Sequence, residues 1–217
     1  MTPPMAFPMS VLFGNTPGTR CWFKNSAGTQ LLQVQRDRFI HNWRKNGTQE
    51  AYPRYEQLRR EFAEELQAFV AFVQAERLGI LTPNQCEITY VNHIVPGGIW
   101  ESHSELSKVL AVFCDARPDT FLGQPENSSV SMRFVIQNAK NQPIGRLHIS
   151  VDPVYRSEDQ MPMWQMTLVA RGGPQTADVT GVLDFLDMGR EQIVRGFASL
   201  TTQAMHDSWR RQDVRND

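Results

Sequence analysis

The run LLQVQRDRFIHNWRK, Leu31 to Lys45, holds Arg36, Asp37, Arg38, His41, Asn42, Trp43 and Arg44 in nine positions. Imidazole and carboxylate groups offer acid–base chemistry. Guanidinium groups offer bidentate recognition of phosphate or carboxylate. Read as an unbroken strand, the run puts Asp37 and His41 on one face but roughly 13 Å apart, at about 3.3 Å per residue. The two cannot then share a hydrogen bond, which argues against a catalytic pair drawn from this segment alone. Arg36 and Arg38 share the other face, about 7 Å apart, and would bracket an anion or pair with Glu64, Glu65 or Glu87.

A second polar set lies in QCEITYVNHIV, Gln85 to Val95. Glu87 and His93 share one strand parity, whereas Tyr90 and Asn92 share the other. If this strand pairs with the Arg36 strand, Glu87 meets Arg36 or Arg38 and His93 approaches His41, giving one polar cluster on one sheet. No Ser or Cys sits at a recognisable nucleophile elbow. Gly172-Gly173-Pro174 lacks the Lys and Ser/Thr of a phosphate loop. The five histidines occur singly, with no H-E-x-x-H motif and no His/Cys cluster at ligand spacing, so neither a metal nor a cofactor is expected. Trp22, Phe39 and Trp43 beside Arg36, Arg38 and Arg44 are compatible with a stacking-and-phosphate surface for nucleic acid. A net charge of -1 argues against a broad one.

These segments need a scaffold, and 217 residues suffice for one sizeable core. Hydrophobic content of 41% and charged content of 21% are those of a globular domain. Of the 22 basic residues, 18 are Arg, which favours fixed, planar contacts. Cys21, Cys86 and Cys114 form no C-x-x-C pair and read as thiols buried in a reducing compartment. The N-terminus has prolines where a signal peptide has a basic and apolar run, and no stretch approaches about 18 apolar residues. A cytoplasmic protein without a membrane span is the expectation.

Residues 1–18, rich in Pro and Gly, read as an irregular lead-in. Cys21-Trp22-Phe23 reads as a short strand, followed by a long strand from Gln30 to about Arg44. Neither parity of that strand is cleanly apolar, so a β-bulge near Arg36 is expected to realign its faces. Pro53 opens a helix to about Ala75 with the stripe Leu58, Phe62, Leu66, Phe69, Val70, Val73. Ser102-x-x-Glu105 has capping-box spacing before a short helix. Three strands at 130–136, 144–151 and 163–170 read as antiparallel, joined first by the Asn138–Asn141 turn. A last helix spans about Asp178 to Leu200, carrying the Glu191/Arg195 pair, with Thr201-Thr202 as its break. Met205 and Trp209, four apart, either dock the tail or mark a partner surface.

The pattern predicts an α+β fold: long antiparallel strands in one curved sheet or two sheets, packed by two long amphipathic helices. A single domain over 19–211 is expected, with halves of about 19–98 and 99–211 compatible with pseudo-duplication, and a flexible tail at 212–217.

Taken together, LLQVQRDRFIHNWRK, YPRYEQLRREF, QCEITYVNHI and GREQIVRGFASLTTQAMHDSWRR resemble an uncharacterised, sporadically distributed family of bacterial and archaeal proteins. The resemblance runs from Trp22 to Arg211. It rests on Gln33, Gln35, Arg36, Asp37, Arg38, Phe39, Asn42, Trp43, Arg44, Tyr52, Pro53, Tyr55, Cys86, Glu87, Tyr90, Asn92, Ile94, Arg195, Phe197, His206 and Trp209. It implies no activity, cofactor or substrate. Members of that family begin with a further strand and helix before the Trp22 region. Either the start of this chain is downstream of the real one or this version lacks them; in the second case an exposed sheet edge must be covered, which favours a homodimer.

The functional expectation is a non-catalytic binding or protein-interaction module. Its cluster would comprise Arg36, Asp37, Arg38, His41, Asn42, Trp43, Arg44, Glu87, Tyr90, Asn92 and His93. One alternative is a hydrolase-like or other enzyme using His41 or His93 with Glu87 or Asp37. The other is a nucleic-acid-associated protein with Arg36, Arg38, Arg44 and Arg54 on one basic face.

Overall fold

The computed structural model of the chain describes residues 19–45, 52–114 and 121–209. The expected lead-in at 1–18 and the tail at 212–217 lie outside the described residues. The fold is α+β with two antiparallel sheets, of three and four strands. The chain divides into two compact units, Met1–Leu78 and Gly79–Asp217.

In the first unit β1 (Cys21–Lys24), β2 (Gln30–Gln35) and β3 (Arg38–Trp43) form an antiparallel meander, followed by α1 (Tyr55–Ala75). Gly28, at φ 69°, lets the β1–β2 loop turn, and Asn25 Oδ1 closes it by accepting from the Thr29 and Gln30 amides. The expected single strand from Gln30 to Arg44 is instead a hairpin. Gln35 faces Arg38 across a two-residue turn made of Arg36 and Asp37. That reversal, rather than a bulge, explains why neither parity was apolar, because a two-residue turn exchanges odd for even. The helix side of the sheet therefore carries Gln30, Leu32 and Val34 from β2 but Phe39, His41 and Trp43 from β3. Phe39 lies against Phe62 and Phe69 of α1, at centroid distances of 5.8 and 5.2 Å.

The second unit orders its strands β4-β7-β6-β5, all antiparallel: β4 (Cys86–Ile94), β5 (Val130–Gln137), β6 (Pro143–Tyr155) and β7 (Pro162–Gly172). Between β4 and β5 a 3-10 turn at His103–Glu105 leads into α2 (Leu106–Val109), and the Ser102/Glu105 capping box forms as its spacing predicts. After β7 come α3 (Val179–Leu200) and α4 (Gln203–Ser208). Asp178 caps α3 by accepting from the Gly181 amide at 2.7 Å. That bond first, and the Thr176 hydroxyl second, hold its carboxyl below the usual carboxylate range. The break at Thr201-Thr202 occurs as expected. Thr201 bridges to Leu110, and Thr202 accepts from the Met205 amide to start α4 while its hydroxyl donates to Lys108 O.

One face of this sheet is the core. Leu147, Ile149 and Val151 of β6 and Trp164, Met166, Leu168 and Ala170 of β7 are buried on it, with Ile193 of α3 above them. Gly189 and Gly196, two helical turns apart, let α3 come down onto the strands. A Cβ at Gly189 would meet Ile88 at 2.8 Å and Ala170 at 3.1 Å, and one at Gly196 would meet Leu147 at 3.1 Å.

Gly189→Leu is therefore expected to lower the unfolding free energy by about 1–3 kcal/mol in urea denaturation, as overpacking of a filled interface does. The cysteines differ from expectation, because only Cys86 is buried, while Cys21 and Cys114 are exposed. Burial pushes the Cys86 thiol up to about 11, so it stays protonated and unreactive at neutral pH. Ellman titration of the native protein at pH 7 should count Cys21 and Cys114 quickly and reach Cys86 only after denaturant is added.

Candidate functional site

The two expected halves of the cluster lie on different sheets. Arg36 to Arg44 belong to the hairpin of β2 and β3, whereas Glu87, Tyr90, Asn92 and His93 lie on β4, whose strand partner is β7. The expected pairing of these segments does not occur. Each expected acid or base has another partner within its own unit. Asp37 bonds its neighbour Arg38 at 3.4 Å, Glu87 holds Arg171 at 2.5 Å, and His93 reaches Gln165 at 3.4 Å. The Asp37–His41 and Glu87–His93 pairs that acid–base chemistry would need are not formed.

His41 does have a carboxylate partner, on an element that sequence spacing did not single out for it. Its Nδ1 lies 2.7 Å from Glu65 Oε2 of α1. Since a carboxylate only accepts, Nδ1 carries the proton and donates. The neighbouring pair on the same side is Gln30 and Glu61, at 2.7 Å, with Gln57 donating to the other Glu61 oxygen at 2.9 Å. His41, Glu65 and Gln30 border a cavity of about 200 Å³ that Phe23, Lys24, Asn25 and Leu32 also line. An oriented imidazole resembles half of a nucleophile-activating pair. However, the His41 side chain is only 7% exposed, and Nε2, the atom that would take a proton, is buried without a partner among the described residues. No Ser, Thr or Cys lines this cavity. The pair ties β3 to α1.

The arginines and aromatics of the hairpin separate in the same way. Arg38, Asn42 and Arg44 project from the side of the sheet opposite Phe39 and Trp43, and Arg36 sits in the turn. Phe39 is taken up by Phe62 and Phe69, and Trp43 packs edge-on against Tyr52 at 4.9 Å. Of the three expected stacking aromatics, Trp22 alone shares the side of Arg38. The joint stacking-and-phosphate surface is not assembled. Asn92, His93 and Ile94 instead border an open cleft of about 370 Å³ with Phe197 and Trp209, whose rings lie 5.3 Å apart.

A second charge pattern lies on the four-stranded sheet, and apart from Glu87 and His93 its residues are ones that sequence reading did not single out. The core uses one face of the four-stranded sheet, and the opposite face looks outward. Its rows, read across β4, β7, β6 and β5, are Glu87–Arg171–Arg146–Val135 and Thr89–Val169–His148–Arg133. Then come Val91–Thr167–Ser150–Ser131 and His93–Gln165–Asp152. Arg146 stands directly opposite Arg171, and Arg133 directly opposite His148. At strand spacing all three guanidiniums start within about 5–8 Å of His148. Arg171 is held by Glu87, and Arg146 Nη1 donates to its own neighbour, Gly145 O, at 2.8 Å. Neither Arg133 nor Arg146 reaches a carboxylate among the described residues. Burial first, then the positive charges of Arg133, Arg171 and Arg146, press the His148 imidazole below its ordinary range.

Among the described residues no three His, Cys, Asp or Glu side chains are grouped to hold a metal ion, and no helix is long and apolar enough to cross a membrane. No protein-family model, curated protein or solved structure matches this chain.

If the His41–Glu65 bond ties β3 to α1, Glu65→Ala, which strands a buried imidazole, is expected to cost about 1–3 kcal/mol. His41→Leu combined with Glu65→Leu should recover most of that loss, because both polar groups leave together. Urea denaturation of His41→Leu, Glu65→Leu and the double variant yields the coupling. Additive losses would show that the bond contributes nothing.

Proposed function

We propose that this protein is a non-catalytic binding module that holds acidic protein segments on the outward face of its four-stranded sheet. The observation that carries this reading is the meeting of Arg133, Arg146 and Arg171 around His148, with Glu87, among the described residues, the one carboxylate paired into the group. Like charges placed directly opposite on a sheet repel. A chain of net charge -1 that opposes Arg146 to Arg171 accepts that repulsion at one place, and a bound anion would relieve it. Guanidinium forks suit carboxylates bidentately.

The ligand class follows from what else stands on this face. Thr89, Thr167, Ser131, Ser150 and Gln165 offer hydrogen bonds, and Val91 and Val135 offer exposed apolar contact. No Phe, Tyr or Trp stands in these four rows, and the imidazoles of His148 and His93 sit in separate rows, so stacked bases have no broad platform. Glutamate- or aspartate-rich peptide matches this mixture better than single-stranded nucleic acid does. The binding-module expectation is thus kept, with its residues moved from the Arg36 hairpin to β5, β6 and β7.

The test is titration of the full chain with a Glu-rich peptide and, separately, with a single-stranded oligonucleotide, followed by calorimetry. Peptide binding that weakens as salt rises is expected. Arg133→Gln combined with Arg146→Gln should weaken it at least about tenfold, the loss of one or two charge-assisted hydrogen bonds. Both residues are exposed, so the melting temperature should hold. In an NMR pH titration the His148 imidazole should titrate below the usual value in the free protein and move upward when peptide offsets the arginine charge. Oligonucleotide binding without peptide binding, or affinity untouched by the double substitution, would overturn the assignment.

A further inference from the structure

We infer that two copies of this chain associate through the outer edge of β4, pairing antiparallel about Tyr90 and joining their four-stranded sheets into one. This goes beyond the anion-binding reading and does not depend on it.

An unpaired edge strand presents a row of backbone donors and acceptors, and natural proteins blunt such edges with bulges, prolines, lysines or short length. The two edges of the four-stranded sheet differ in this respect. β5 keeps regular register over the seven residues Val130 to Ile136, shifts only at its last residue, Gln137, and carries a charged side chain, Arg133, on that edge strand. β4 runs nine residues in unbroken register with β7 and contains neither Pro nor Lys. It is instead rich in good strand formers: Ile88, Thr89, Tyr90, Val91 and Ile94. Among the described residues no strand lies on its outer side. Val91 is 54% exposed, and the cleft bordered by Asn92, His93 and Ile94 opens beside the strand's end.

A second copy fits this edge because the β4 sequence complements itself. With the twofold axis at Tyr90, all nine residues find partners. On the outward face Glu87 of one copy stands opposite His93 of the other, and Thr89 opposite Val91. On the core face Cys86 meets Ile94, Ile88 meets Asn92, and Tyr90 meets Tyr90. An acid opposite an imidazole, a β-branched pair and an aromatic pair are each favourable cross-strand neighbours. Arg171 engages Glu87 through Oε2, and Oε1 accepts from the Thr89 hydroxyl at 3.4 Å, which leaves that oxygen a second lone pair for an imidazole N–H. Sliding the register by two residues in either direction separates Glu87 from His93 and leaves strand ends unpaired. An antiparallel pairing of this kind also puts the outward faces of both copies on the same side, so their Arg133, Arg146 and Arg171 groups would form one surface. A nine-residue edge buries less than the roughly 1,600 Å² of a standard interface, so the association should depend on concentration.

The test uses the full chain in sedimentation velocity, where a monomer–dimer equilibrium across the micromolar range is expected. Thr89→Lys combined with Val91→Lys opposes lysine to lysine twice across the axis and should leave only monomer. The register is read by cross-linking in a background carrying Cys21→Ser and Cys114→Ser. Thr89→Cys protein mixed with Val91→Cys protein should form an intermolecular disulfide under mild oxidation. Either protein alone should not, because like residues then sit on the diagonal, about 7–8 Å apart, beyond the usual disulfide reach of about 7 Å. Both positions are exposed, so circular dichroism should confirm an unchanged fold. A chain that stays monomeric at every concentration, or single cysteine proteins that cross-link as well as the mixture, would overturn the inference.

Discussion

The close contact of α3 with the strands beneath it is the constraint on which the second unit depends. Gly189 and Gly196 carry no side chain where Ile88, Ala170, Leu147 and Ile149 rise to meet the helix. Because α3 comes that near, one face of the sheet is dried and can be filled with Leu, Ile, Met and Trp. The alternate residues of the same strands are thereby committed to the other face. Strand geometry leaves no intermediate choice, since each residue points to one side or the other. The Arg133–Arg146–Arg171 group is a consequence of this one-sided burial. The same three charges turned inward would each face a desolvation penalty that no partner there could offset.

The first unit solves a similar packing problem by different chemistry. Three antiparallel strands followed by a helix of 21 residues in the first unit mirror three antiparallel strands followed by one of 22 residues in the second. Yet α1 has no glycine at its sheet contact. It meets β3 through the rings of Phe39, Phe62 and Phe69 and through the His41–Glu65 bond. Bulky rings and a hydrogen-bonded pair hold helix and sheet further apart than glycines do. The small cavity beside His41 lies along that same boundary.

Much of the fold was legible in the sequence because the elements repeat a simple period. The stripes of α1 and α3 at spacings of three and four, and the alternation along β6 and β7, are visible residue by residue. The Ser102/Glu105 box and the Thr201-Thr202 break were also readable, since each uses a local hydrogen bond with its own residue preference. The hairpin was not. Its turn is Arg36-Asp37, without the glycine or asparagine that usually announces a two-residue reversal, and strong β-formers flank it on both sides. The one available sign was the mixed parity of the run, which a bulge and a reversal both produce. Once Gln35 and Arg38 are known to face each other, the even residues of β2 and the odd residues of β3 fall on a single side.

The candidate site was less legible, for a related reason. The hairpin run gathers its polar residues in sequence, and local density drew attention to it. The fold then scatters them: Arg36 and Asp37 go to a turn, Arg38 and Arg44 to one side, His41 and Trp43 to the other. The arginines around His148 do the opposite, coming singly from three strands and meeting only through cross-strand register. A readable trace existed in the parity of those strands. Arg146 and His148 alternate with Leu147 and Ile149, so the parity that marks the core also marks which polar residues must share the facing side. Charge assembled by register in this way is governed by strand pairing, and sequence proximity is a poor guide to it. The arginines can gather beside His148 only because β5, β6 and β7 hold their alignment, and that alignment is fixed by the apolar residues on the reverse of the same strands.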